Sequence, residues 1–167
     1  MTLPSQKGRF VQGHPRVLRF AAVLLSVPAF AIAGCGGGDA SGATVTVYVA
    51  APLCAQAKAD LASHGATAGH FKVAARCLAP SERDGGGVDL AANGANSRRA
   101  TEDTSTVATL EAPGPGNKFA QAILESAGIP LVVSHSAGKG MARIIKAVEG
   151  AGSSNVREAV QGTLEPN

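Results

Sequence analysis

Hydrophobic positions along this chain alternate between two periods. "TVTVYVA" (Thr44–Ala50) is β-branched and strand-like. In "PLCAQAKADLASHG", Pro52 stands at a helix N-terminus, Leu53, Ala57 and Leu61 share one face, and Gly65 ends the run. "HFKVAARCL" predicts a second strand over Phe71–Cys77, followed by the polar loop "APSERDGGG". The next helix, about Val88–Glu102, should turn Leu90, Ala91, Gly94 and Ala95 inward and Arg98 and Arg99 outward. "STVATLE" is a third strand. After "APGPG", Phe119, Ala122, Ile123 and Ala127 recur at helical spacing, and Gly128 closes that helix before "IPLVV" supplies a fourth strand. The cleanest amphipathic helix places Met141, Ile144, Ile145 and Val148 at i, i+3, i+4 and i+7. A weaker one carries Val156, Ala159, Val160 and Leu164.

Strands alternating with helices through short connections predict an α/β fold. The expected architecture is a three-layer sandwich, with a parallel four-stranded sheet in the order 2-1-3-4 and helices on both faces. Such folds place ligands beyond the carboxyl ends of the strands. The candidate segments are therefore "AAPLC", "CLAPSERDGGG", "EAPGPGN" and "SHSAGKG".

The pattern before Thr44 is of another kind. Lys7, Arg9, Arg16 and Arg19 form a basic n-region, and "FAAVLLSVPAFAIA" (Phe20–Ala33) is an apolar stretch too short for an ordinary transmembrane helix. Residues 1–34 read as an export signal. "IAGC" (Ile32–Cys35) resembles the lipobox of bacterial lipoproteins, which implies that Cys35 becomes the first mature residue and carries a diacylglycerol. The other readings are a plain signal peptide cut beside an incidental cysteine, or an uncleaved anchor. Residues 35–43, rich in glycine, read as a tether between the membrane and a domain spanning residues 44–167.

Removing the signal changes the charge. The whole chain is +3, with 15 basic and 12 acidic residues. Four of the basic residues and none of the acidic ones precede Cys35, so the mature chain has 11 basic against 12 acidic, or −1. The basicity belongs to the signal and is no argument for a nucleic-acid partner. Loss of Phe10, Phe20 and Phe30 leaves Tyr48, Phe71 and Phe119, too few aromatics for a base-stacking platform.

"VTVYVAAPLCAQAK", "DLAANGANSRRATEDTSTVATLEAPG" and "FAQAILESAGIPLVVSHSA" together resemble the N-terminal lobe of type I periplasmic binding proteins, the branched-chain amino-acid substrate-binding group of ABC transporters. The likeness runs from Thr44 to about Ala137 and is best over Asn96–Ser136. It implies an extracytoplasmic, membrane-anchored, non-enzymatic domain that takes a small polar solute near Pro52, Cys54, Pro113, Ser134 and Ser136. It also implies a second lobe or a permease subunit as partner, because family members trap their ligand between two lobes. Three positions depart from the family pattern. Cys54 stands where the family has a serine, no acidic residue follows strand two in "CLAP", and "EAPGPGN" replaces Gly-Pro-x-x-Ser. A relative that binds no ligand and serves as a cell-surface interaction module is the alternative.

Ser136 lies on a strand-to-helix turn, where a hydrolase would place its nucleophile. Its partners are missing in order: no His follows His135 and no Asp follows Asp103, so a serine hydrolase is the remote alternative. The hydroxyls of Ser134 and Ser136 can also serve only to cap the helix starting near Gly138. "GKG" (Gly138–Gly140) lacks the spacing of a phosphate-binding loop, and no cofactor is expected. Cys54 and Cys77 should lie at the same edge of the sheet. In an exported domain a bridge between them would close a loop of about 23 residues, worth on the order of 3 kcal/mol, the alternative being two buried thiols. His64 and His70 flank the start of strand two, more than roughly 20 Å from that edge at ~3.3 Å per residue, so a zinc site with the cysteines is not expected.

Overall fold

The structure is a computed structural model that describes residues 42–152 and 155–165. The expected signal, residues 1–34, and the expected lipidation site Cys35 lie outside the described residues. Of the expected tether, Gly42 and Ala43 are described and lie along the start of the third strand: Gly42 donates to the His70 carbonyl, and the Ala43 carbonyl accepts from Lys72.

The elements in chain order are β1 (Thr44–Val49), α1 (Ala51–Ser63), β2 (Thr67–Ala68), β3 (Phe71–Cys77), α2 (Leu90–Glu102), β4 (Thr106–Glu111), α3 (Asn117–Glu125), β5 (Leu131–Val133), α4 (Ala137–Glu149) and α5 (Val156–Leu164). The molecule is α/β, as the alternation of periods predicts. The expectation of a four-stranded, wholly parallel sheet needs correction. The sheet has five strands in the order β2-β3-β1-β4-β5, and β2 pairs antiparallel with β3. The cause is a tight turn at Gly69, whose φ of +57° lets the chain reverse so that Thr67 and Ala68 pair with Lys72 and Phe71. The two-residue strand is too short to show any period in the sequence. The pairs β1–β3, β1–β4 and β4–β5 are parallel.

β1 is buried on both sides, as its unbroken β-branched run requires. Val45, Val47 and Val49 face one core with Leu53, Cys54, Ala57 and Leu61 of α1, Met141, Ile144 and Val148 of α4, and Val160 of α5. Tyr48 faces the other core, with Ala100 of α2, Ala120 and Leu124 of α3, and Ile129. On α4 the spacing read from the sequence holds: Met141, Ile144 and Val148 are buried and Ile145 packs partly against them. Gly140 of that helix lies so close to Leu110 of β4 that a methyl group there would run into the leucine side chain.

The other two helices depart from the expected phase. In α2 the inward residues are Asn93, Gly94, Asn96, Ser97 and Ala100, whereas Leu90, Ala91 and Ala95 are exposed. In α3, Ala120 and Leu124 are buried, Ile123 is half-buried, and Phe119 and Ala122 are exposed. Asn96 can face inward on α2 because the loop before it offers it backbone partners, and Ser97 because its hydroxyl donates to the Asn93 carbonyl of its own helix. Asn96 donates from Nδ2 to the Ala79 carbonyl at 2.8 Å and accepts from the Ala79 amide at Oδ1, 3.1 Å. α3 ends as expected at Gly128 (φ +66°): Gly128 donates to Glu125 and Ile129 to Leu124, and Ile129 and Leu124 share a core.

Candidate functional site

The carboxyl ends of three strands come level: Val49 of β1 pairs with Cys77 of β3 on one side and Leu110 of β4 on the other. From β1 the chain passes to β3, then crosses to β4 on the opposite side of β1. The crevice beyond β1 and β4 is therefore the point where strand order reverses, the usual ligand position in open α/β sheets. A cavity of about 240 Å³ opens there, walled by the connections β1–α1, β3–α2 and β4–α3. Pro52, Leu78, Asn93, Glu111, Ala112 and Asn117 are among its lining residues.

Each wall has a local cause. The loop Ala79–Gly87 turns back on itself, with an isolated antiparallel bridge between Glu82 and Val88 and the left-handed glycines Gly85 and Gly86 at its tip. Asn96 clamps its base through Ala79. Asp89 caps α2, accepting at Oδ1 from Ala91 (3.0 Å) and Ala92 (3.1 Å). Those two amides, with Arg83 nearby, hold the Asp89 carboxyl below its ordinary range, the Ala92 bond contributing most. The loop after β4 is held by Asn117, which accepts from the Gly114 amide and donates to the Ala112 carbonyl and to Glu111.

Glu111, the last residue of β4, is the cavity's interior acid. Its Oε2 accepts from Asn117 Nδ2 at 2.8 Å. Burial pushes its carboxyl above the ordinary range, and the Asn117 hydrogen bond opposes this only in part. Asn93 is 5% exposed, and its Oδ1 has no hydrogen-bond partner among the described residues. A Cβ at Gly116 would sit 2.7 Å from Asn93 Nδ2, so the absence of a side chain at Gly116 is what gives that amide its space. Glu111 thus brings a partly desolvated carboxylate to the lining, which suits a small ligand carrying hydrogen-bond donors.

Of the residues singled out from the sequence, Pro52 lines this cavity and the others lie elsewhere. The sulfurs of Cys54 and Cys77 are at bonding distance, with the Cα atoms 5.5 Å apart, so Cys54 is engaged in a disulfide and buried, outside the cavity lining. Pro113 is exposed on the β4–α3 loop, outside the lining. Ser134 and Ser136 sit together between β5 and α4, also outside it. Ser134 Oγ donates to the Ser136 carbonyl at 2.8 Å and accepts from its amide at 3.2 Å. Ser136 occupies the N-cap position of α4, yet its hydroxyl makes no capping bond, so the capping role considered for it is corrected. His135 beside it is exposed. His64 ends α1 and His70 lies in the β2–β3 turn; among the described residues no group of three or more His, Cys, Asp or Glu is placed to hold a metal.

Glu111 and Asn117 fall inside the segment "EAPGPGN" that the fold marks as a candidate, but neither was singled out. Asn93 and Asn96 were missed. Their signal was a polar stripe, Asn93, Asn96 and Ser97 at i, i+3 and i+4, on a helix otherwise offering only small apolar residues inward.

The chain matches no protein-family model, no curated protein and no solved structure.

Proposed function

We propose that this chain is a membrane-anchored extracytoplasmic lipoprotein, lipidated at Cys35. In this reading its domain holds a small polar solute at the carboxyl edge of the sheet. It would work as the N-terminal lobe of an ABC-transporter substrate-binding protein for branched-chain amino acids works, without catalysing a reaction. A second lobe or permease subunit would complete the cleft. The observation that carries the proposal is the cavity at the reversal of strand order, lined by the half-buried carboxylate of Glu111. Calorimetry of the full chain in detergent micelles, titrated with branched-chain amino acids and small amines, tests the solute. Submillimolar binding of one of them is expected, and its absence across the panel would overturn the reading. Intact-mass spectrometry of the chain from bacterial membranes tests the anchor: the mature chain should begin at a diacylglyceryl-bearing Cys35, and an unmodified cysteine would remove that part.

A second reading, a surface module for protein partners, is favoured by one observation. Phe119 (42% exposed) rests on Gly94 of α2, and Leu90 (54% exposed) lies one turn earlier on the same helix. Together they form an apolar patch on the α2–α3 face. Labelling of Ser136 by a fluorophosphonate would instead revive the hydrolase.

A further inference from the structure

We propose that the cavity selects its solute by charge: Glu111 receives a small organic cation, an ammonium group on a compact apolar body, in preference to a zwitterion or an anion. The inference rests on the solute-binding reading above and adds a ligand class to it.

Three observations carry it. First, the described wall is one-signed. Glu111 stands inside, Glu82 lines the wall on the β3–α2 loop, and no Lys, Arg or His is among the lining residues. The serines that by family resemblance would meet a ligand's carboxylate and amine, Ser134 and Ser136, are outside the lining. Second, Glu111 has acceptor capacity left. A carboxylate offers about four lone-pair directions, and among the described residues only the Asn117 side-chain amide donates to it. Third, Leu78, Val88 and Ala112 give the wall apolar stretches suited to a short hydrocarbon body, beside the polar Ser81, Asn96 and Asn117.

Two helix N-termini border the cavity and would by their dipoles favour an anion. Part of that donor set is engaged or absent: Pro52 has no N–H, and the amides of Leu53, Asn117 and Phe119 donate to the carbonyls of Ala50, Gly114 and Gly116. Against these partial dipole charges stands the full charge of the Glu111 carboxylate. As an anion it is disfavoured by burial, a condition that a bound cation relieves.

Three ligands that share an isobutyl body separate the possibilities. The full chain in detergent micelles is titrated calorimetrically with 3-methylbutylamine, leucine and 3-methylbutanoate. The amine should bind at least about tenfold more tightly than leucine, with no binding of the carboxylate, and Glu111→Gln should weaken the amine by about 10- to 100-fold. Glu125→Gln, on the exposed face of α3, should leave binding unchanged. A melting curve on Glu111→Gln establishes that the variant is folded. Leucine binding as tightly as the amine, or an amine affinity unchanged in Glu111→Gln, would overturn charge selection while leaving solute binding intact. Failure of all three ligands to bind wild type would remove both.

Discussion

The two faces of the sheet are built differently. Under α1, α4 and α5 the inner surface is continuous hydrocarbon: Val45, Val47 and Val49 meet Leu53, Leu61, Met141, Ile144, Val148 and Val160 with almost no exposure. Under α2 and α3 the apolar set shrinks to Tyr48, Leu78, Ala100, Ala120, Leu124 and Ile129. Asn93, Asn96 and Ser97 occupy the inward positions that remain on α2. The first face stabilises the fold through area removed from water, at about 1.5–3 kcal/mol per fully buried aliphatic side chain. The second face gives up part of that gain so that its amides can position loops and line a cavity. The cavity lies on the side where the core is thinnest.

The largest expected effect tests this contrast directly. Ile144→Ala, at a site fully buried in α4, should lower unfolding free energy by about 2–5 kcal/mol. Asn93→Ala, equally inward but on α2, should change it by less than about 1 kcal/mol, because it deletes an amide whose Oδ1 is already unpaired. Urea unfolding monitored by circular dichroism measures both, and equal losses would break the distinction between the faces.

The disulfide joins the two regions, since Cys54 belongs to the first core and Cys77 ends β3 just before the cavity loop. Cys54→Ala with Cys77→Ala should cost on the order of 3 kcal/mol. Hydrogen exchange should also show faster opening around Ala79–Gly87. A loss confined to global stability, with the loop unchanged, would place the bridge wholly on the first face.

Next in size is Asn96→Ala, which removes both bonds to Ala79. A loss of about 1–3 kcal/mol is expected, since the Ala79 groups are left to find other partners. Weaker solute binding should accompany it, because that clamp fixes one cavity wall. Unchanged binding would mean that the loop keeps its shape without Asn96.

Legibility in the sequence follows the same division. Hydrophobic period finds the first face, because α4 and β1 are specified by what they bury, and Met141, Ile144 and Val148 show it at full contrast. On the second face the rule of apolar-inward turns α2 the wrong way, since Asn96 is satisfied by a loop forming close to it in space but 17 residues away in sequence. Pro52 was legible as a cavity residue because the carboxyl ends of strands are where such folds bind. Glu111 was hidden by its position: an acid closing a strand reads as solvated until the loop carrying Asn117 folds over it. The antiparallel β2 was beyond reach, being two residues long and dependent on the turn at Gly69.

The smallest effect has the opposite sign. Burial raises the Glu111 carboxyl above its ordinary 4.5, so the folded state prefers it neutral. Below 4.5 the group is protonated whether the chain is folded or unfolded, and no penalty arises. As pH rises through 4.5 and then through the raised folded value, the stability associated with the neutral form is lost, because an anion must now be kept in the cavity. Glu111→Gln remains neutral throughout and retains an acceptor for Asn117. It should melt at a higher temperature than wild type at pH 7, with the gap closing near pH 4. Acid also weakens the fold elsewhere. Asp103 is held below its ordinary 3.8 mainly by the Ser105 hydroxyl, and more weakly by Tyr48 and Arg76. Its contribution is present above 3.8 and is lost as pH falls through the lowered value. That loss is common to both proteins and cancels in the difference between their melting curves. A gap that stays constant from pH 4 to pH 7 would show that the Gln side chain acts by shape, and Glu111 would no longer be the charged floor of the cavity.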